Sequence, residues 1–375
     1  MPVFNSLRTW IKLLALLVGC APGVHCFATT IIYVANADSQ DISVFQLDER
    51  SRNTKQLQTF LVGGTVMPMA LSPDKQRLYA AIRSEPYRVL VLAIDPATGI
   101  LNQKASVPLV DSMASISVDQ QGKYLFAASY GGNKITAQRL DGNGIPQLPR
   151  QVLTTGVNPH QITSSSDNQF VYASLLGEDR LDYYQLNSPR KHTSSHFLKP
   201  MPEAAVTLPD GSGPRHFVFS PDENFIYLLD ELSANLHVLK RDTKTGAALL
   251  LESHALLQTD TKVRAWAADI HRTPDGQFLY ASERTSSSLT GFKINKSDGR
   301  LTPIGRWDAE LQPRAFAISP DGRFLAAVGQ RSHSMTLYSI QPDTGELQVV
   351  NRQATGINPA WVEIVSLSDA ALPNN

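Results

Sequence analysis

The chain has 375 residues, 42% of them hydrophobic and 18% charged, which is enough apolar material for one large core or two smaller ones. Its 34 basic and 34 acidic residues cancel, arguing against the broad basic field that holds nucleic acid or an anionic membrane. No run of like charge and no low-complexity tract marks a disordered tail.

Residues 1–28 read as an export signal. Arg8 and Lys12 precede a short apolar run, Leu13 to Val18, far below the roughly 20 residues that span a bilayer. Two processing routes fit. Cys26-Phe27-Ala28 suits conventional cleavage after Ala28. Leu17-Val18-Gly19-Cys20 resembles the bacterial lipobox, in which residues 1–19 leave and Cys20 is acylated, the one route by which this chain would touch a membrane. Either way the mature protein is expected outside the cytoplasm, periplasmic or lipid-anchored. The only cysteines are Cys20 and Cys26, so the rest of the chain has no disulfide, thiol nucleophile or thiolate metal site.

From residue 29 onward one phrase recurs: an apolar run, a Ser-Pro-Asp or similar turn, then an apolar run ending near an aromatic residue. Tyr33 opens the series without its turn. Ser72-Pro73-Asp74 leads to Tyr79, Asp119 to Gly122 to Phe126, and Ser166-Asp167-Asn168 to Tyr172. Ser220-Pro221-Asp222 then leads to Tyr227, Thr273 to Gly276 to Tyr280, and Ser319 to Gly322 to Ala326. The spacings are 46, 47, 46, 55, 53 and 46 residues, the period of a four-stranded propeller blade. Each Pro-Asp or Asp-Gly is a turn between strands, and runs such as Phe225 to Leu229 and Leu289 to Ile294 alternate as strands do. The longer spacings place excursions at about 187–212, read as a surface loop whose His192 and His196 are solvated, and at 241–262.

The first repeat lacks its opening strand, and Asn358 to Val365 is an orphan matching that strand, as in Gly213 to Phe219. The expected fold is therefore an all-β, seven-bladed β-propeller over residues 29–368, closed by N-terminal and C-terminal strands sharing one blade, with a short tail at 369–375. Closure leaves no long unpaired edge, whereas a linear solenoid would call for capping units at both ends.

Within a blade the strand before the turn and the strand after it are antiparallel, so the start of one and the end of the other share a mouth of the central tunnel. Seven positions before the turn stand Met67, Ala114, His160, Arg215, Ala268, Arg314 and Ala360. Four after the aromatic stand Ala37, Arg83, Tyr130, Leu176, Glu231, Arg284 and Gln330. Polar residues break the repeat at His160, Arg215, Arg314, Glu231, Arg284 and Arg83, as expected when a site is grafted onto a symmetric scaffold. Several arginines with one Glu and one His suit an anionic ligand and one proton exchange.

These residues resemble the propeller-type 6-phosphogluconolactonases and the related carboxy-cis,cis-muconate lactonizing enzymes. The phrases that carry the resemblance are Asn158-Pro159-His160, Gly213 to His216, Asp230-Glu231-Leu232, Trp266 to His271, Glu283-Arg284-Thr285, Gln312 to Phe316, Gly329 to Ser334 and Gly356 to Pro359. The resemblance implies hydrolysis of a sugar lactone at a site without metal or cofactor. Its catalytic residues match His160, Arg215, Glu231 and Arg284, with Arg264 and Arg314 as other candidates for the second arginine. Arg83, His216, Asp269, Arg314 and Gln330 are expected to bind substrate. Glu231 or His160 would activate water, and the choice stays open. Family members act on a cytosolic phosphorylated sugar, whereas this chain carries an export signal, so an unphosphorylated aldonolactone is the alternative substrate.

Other chemistries fit worse. Gly-x-Ser-x-Gly and phosphate-cradling glycine loops are absent. Asp269 and His271 could suggest a metal pair, but two ligands are too few, and Asp269 is read as a strand-end hydrogen-bond acceptor. A non-catalytic platform for protein or glycan, and a muconate-type cycloisomerase, are the rival functions.

Overall fold

The computed structural model describes residues 29–148, 150–187, 196–257 and 263–367. Residues 1–28 with Cys20, expected as an export signal, residues 369–375, expected as a tail, and His192 lie outside the described residues. Seven antiparallel sheets follow one another along the chain. Their innermost strands are Pro359–Leu367 in blade 1, Val66–Leu71 in blade 2, Ser115–Val118 in blade 3, Pro159–Ser164 in blade 4, Pro214–Phe219 in blade 5, Ala267–Arg272 in blade 6 and Pro313–Ile318 in blade 7. Each packs on the next, and blade 7 packs back on blade 1, so they ring a central tunnel. Closure is as expected: Pro359–Leu367 pairs with Thr29–Asn36, Tyr33 opposite Glu363.

The repeat has two physical causes. The first is the turn. Ser220 donates its hydroxyl to Asp222 (2.6 Å) and accepts the backbone N–H of Phe225 (3.0 Å). Ser72, Ser165, Thr273 and Ser319 do the same in their blades. In blade 3, Asp119 replaces the serine and takes the N–H of Tyr124 directly. These side chains satisfy turn N–H groups that the ladder leaves unpaired.

The second cause is the seam between blades. Tyr33, Tyr79, Tyr172, Tyr227 and Tyr280 are fully buried, and their hydroxyls donate to the carbonyls of Gly99, Gly144, Gly246, Gly299 and Gly345 at 2.6–3.1 Å. Each glycine closes the outer hairpin of the following blade. Gly99 has φ +75, and a Cβ there would run into Ile31, so both the turn and the close approach require glycine. Phe126 and Ala326 lack the hydroxyl, and the blades that follow them have no glycine in that turn. Blade 1 turns through Asp48, which binds the N–H groups of Arg50 and Ser51.

The excursions are partly corrected. Leu198–Pro200 and Val206–Thr207 both pair with Arg180–Leu186, splitting the outer strand of blade 4 inside the span read as loop. His196 is exposed, as expected. Ala248–Ala255 is the outer strand of blade 5, so the extra length falls after it.

Candidate active site

At the mouth opposite the turns, four innermost strands begin the same way. Asn158, Gly213, Gln312 and Asn358 adopt left-handed φ of 57°, 65°, 55° and 58°, and a proline follows each. A proline at the first strand position costs no ladder hydrogen bond. Pairing to the second strand then slips between Pro159 and Ile162, Pro214 and His216, Ala267 and Ile270, and Pro313 and Ala315. Such bulges re-aim side chains, and His160, Arg215, Ala268 and Arg314 sit inside them.

Arg215 and Glu231 meet at the end of blade 5, Nε to Oε2 at 2.9 Å. Arg284 reaches the same Oε2 from blade 6 through Nη2, also at 2.9 Å. Both guanidinium groups are buried and fixed by backbone carbonyls. Arg215 Nη1 donates to Ala268, and Arg284 donates to Trp266 (3.0 Å) and Ala267 (2.9 Å). Arg284 also lies over the Trp266 ring, 4.0 Å from its centroid. The shared carboxylate and the three backbone carbonyls offset part of the cost of burying the two guanidinium groups. Nη2 of Arg215, Nη1 of Arg284 and Oε1 of Glu231 have no hydrogen-bond partner among the described residues.

His160 is buried beside this trio. Its ring stands edge-on to Tyr130 and His216, with centroids 5.9 and 5.0 Å away, and its Nδ1 is enclosed without a partner. Burial, then Arg215, His216, Arg314 and Arg284, hold its pKa well below the usual histidine value, so the ring is neutral at pH 7. Burial pushes the Glu231 carboxyl up, but Arg215 and Arg284 outweigh it and keep the group ionised.

The other expected residues divide. Arg314 has no ion pair or hydrogen bond to a described residue, and burial followed by Arg215, Arg284 and Arg83 depresses its pKa strongly. It belongs to the cluster as an unmatched cation. Arg83 donates to Ser112 (2.9 Å) and Met67 Sδ (3.0 Å) and has no carboxylate partner. His216 packs against His160, while Gln330 is tied to Asn358 at 2.8 Å. Arg264 is exposed and outside the ion-pair cluster, which leaves Arg284 as the arginine paired with Glu231.

Asp269 is the hydrogen-bond acceptor expected, and a hub. It takes His216 Nδ1 (2.7 Å), His271 Nε2 (3.3 Å) and the N–H groups of Ile270 (3.0 Å) and Phe316 (3.1 Å). Its lone pairs are committed to these donors, and no cluster of three or more His, Cys, Asp or Glu among the described residues is arranged to hold a metal ion. Tyr130 and Trp266 in the site wall went unassigned in the sequence. Tyr130 occupies the same register as Arg83, Glu231 and Arg284, which is the signal that marks it.

A family model described as "Lactonase, 7-bladed beta-propeller" matches residues 26–364. The 6-phosphogluconolactonase of Pectobacterium atrosepticum is 36% identical over 337 residues, covering 90% of this chain and 99% of that protein. The 6-phosphogluconolactonase of an Enterobacter species is 36% identical over 333 residues, covering 89% and 98%. A solved structure, the periplasmic gluconolactonase of Pseudomonas aeruginosa, superposes with a TM-score of 0.82 at 25% identity, covering 91% of this chain and all of that one. The chain belongs to the lactonase family of seven-bladed β-propellers: it is a lactone-hydrolysing enzyme.

Proposed function

We propose that the chain hydrolyses an aldonolactone bearing an anionic group, without a metal or other cofactor. The observation that carries this reading is one carboxylate, Glu231, shared by Arg215 and Arg284 in a mouth that also holds the unmatched Arg314 and the neutral His160. The free donors of Arg215 and Arg284 would take the carbonyl oxygen and stabilise it as it becomes an oxyanion, an effect worth about 3–4 kcal/mol per well-placed donor. Glu231, paired twice and ionised, is a weak base and acts as the anchor that aims both guanidinium groups. His160 is then the base: a neutral imidazole takes a proton from the attacking water. Its low proton affinity rises once an anionic substrate offsets the surrounding arginines. Arg314, and Arg83 beside it, would hold the anionic group.

A second substrate, the unphosphorylated aldonolactone of a protein working outside the cytoplasm, is favoured by the signal-like residues 1–28 and by the periplasmic gluconolactonase neighbour. One assay tests both. Ring opening of glucono-1,5-lactone and its 6-phosphate is followed for the wild type and Glu231→Gln, with and without chelator. The proposal expects faster turnover of the phosphate ester, a loss of about 10²-fold or more in the variant, and no effect of chelator. Equal background rates in both proteins would instead favour a binding platform, and a preference for the neutral lactone would favour the second substrate.

A further inference from the structure

We propose that His216 and Asp269 are positioning residues for His160: they hold its imidazole in the tautomer protonated at Nδ1, leaving the lone pair on Nε2 for the substrate mouth. The inference rests on the hydrolytic reading above, in which His160 is the base, and names what makes it one. Asp269 anchors the line. Its Oδ1 lies 2.7 Å from His216 Nδ1 and its Oδ2 lies 3.3 Å from His271 Nε2, and it also accepts the N–H groups of Ile270 (3.0 Å) and Phe316 (3.1 Å). Four donors around one buried carboxylate keep it ionised, and an ionised carboxylate only accepts. Both histidines therefore donate to it, His216 through Nδ1–H and His271 through Nε2–H.

Burial, followed by Arg215, brings the His216 pKa down to about 4, so this ring is neutral at pH 7. With its one proton on Nδ1, its Nε2 is a bare acceptor, and that nitrogen is enclosed without a partner. The ring stands edge-on to His160, with centroids 5.0 Å apart, and His160 Nδ1 is likewise enclosed without a partner. A neutral imidazole has one N–H. Were it on Nε2 of His160, two bare nitrogens would be buried on neighbouring rings with no donor between them, which is costly. On Nδ1 it supplies the donor that His216 Nε2 lacks, and the broad χ2 torsion of histidine lets the rings turn to close the bond. The other charged and titratable groups around His160 are Tyr130 of blade 3, Arg215 of blade 5, Arg284 of blade 6 and Arg314 of blade 7. Arginine only donates, so none of the three can accept from Nδ1–H.

The tautomer decides the chemistry. A His160 protonated at Nε2 would offer the attacking water a donor and no lone pair. Protonated at Nδ1, it takes one water proton at Nε2 while the water oxygen bonds to the carbonyl carbon. The imidazolium so formed keeps its Nδ1–H on His216, with the Asp269 carboxylate behind that ring. When the bond from the carbonyl carbon to the ring oxygen breaks, its electron pair stays on that oxygen, and His160 returns the proton to make it a hydroxyl. No proton leaves His216 or reaches Asp269 at any stage. The line thus runs from blade 6 through blade 5 to blade 4, each member fixing the next.

Imidazole nitrogen NMR of the unliganded wild type at pH 7 reads the tautomer without turnover, with His160 assigned by the signals lost in His160→Gln. The expected result is a neutral His160 protonated at Nδ1. Protonation at Nε2 overturns the proposal even in a protein that opens lactones, which separates its failure from that of the hydrolytic reading. Asp269→Asn gives a second test with glucono-1,5-lactone 6-phosphate as substrate. The amide can donate to His216 Nδ1, which moves the His216 proton to Nε2 and makes that nitrogen a donor. His160 should then switch to the form protonated at Nε2, with kcat lowered about 10²-fold or more and KM little changed. Wild-type kcat in the folded variant, or a lower kcat with the His160 tautomer unmoved, contradicts the positioning role.

Discussion

The seams between blades and the mouth of the tunnel are built on the same repeat and treat it oppositely. At the seams five blades keep one tyrosine and give it one task, a buried hydroxyl bonded to the next blade's glycine carbonyl. At the mouth one register holds Met67, Ala114, His160, Arg215, Ala268, Arg314 and Ala360. Repetition serves closure of the ring, since each seam must match its neighbour. Chemistry needs different groups at one point, so symmetry is lost only where strands converge. Where the seam itself breaks, at Phe126 and Ala326, the partner turn has changed too.

If this division is right, the two regions respond to mutation in opposite ways. The largest effect is expected for Arg215→Lys, which keeps a charge but loses the fork joining Glu231 to the Ala268 carbonyl. Its kcat should fall about 10²–10³-fold with the β-sheet circular dichroism retained; a loss of only a few fold would place the chemistry elsewhere. Tyr227→Phe should do the reverse. Losing the bond to Gly299 leaves a buried carbonyl unpaired, costing about 1–3 kcal/mol in denaturant unfolding, with kcat unchanged.

A smaller effect separates the regions by pH. His160 must be neutral to accept a proton, and its pKa is depressed, so activity should persist below the ordinary histidine range as pH falls. The acid limb of kcat/KM then lies below about 6.5, and Arg314→Gln, which removes one cause of the depression, should move it upward. A limb at or above the ordinary histidine value in the wild type would contradict the assignment of His160. The smallest effect concerns Glu363, whose carboxyl is pushed up to about 7 by burial. Between the unfolded carboxylate value and 7 the native state binds more protons than the unfolded one, so this group's contribution falls as pH rises. Glu363→Gln mimics the protonated form and should raise Tm at pH 8 more than at pH 5; an equal shift at both would refute the raised value.

Much of this was legible because the signals repeat. The turn Asp and the Tyr register gave the blade count, and antiparallel pairing then placed His160, Arg215, Glu231 and Arg284 at one mouth. The chain from His216 to His271 was not legible. It joins blades 5 and 6, and the pairing slip between Ala267 and Ile270 fixes where Asp269 points, a detail no spacing encodes. Trp266 stacking on Arg284 depends likewise on the path leading into its strand. The split outer strand of blade 4 was missed because two short segments in a Pro-rich stretch carry no alternation to read.

The claim that the mouth acts as one device is tested most directly by a double-mutant cycle on lactone ring opening with His160→Gln, Glu231→Gln and the pair. Residues that act as a unit are strongly non-additive, so the double variant should be little slower than the slower single variant. Rate losses that simply multiply would mean that the imidazole and the carboxylate work independently, and would contradict the account.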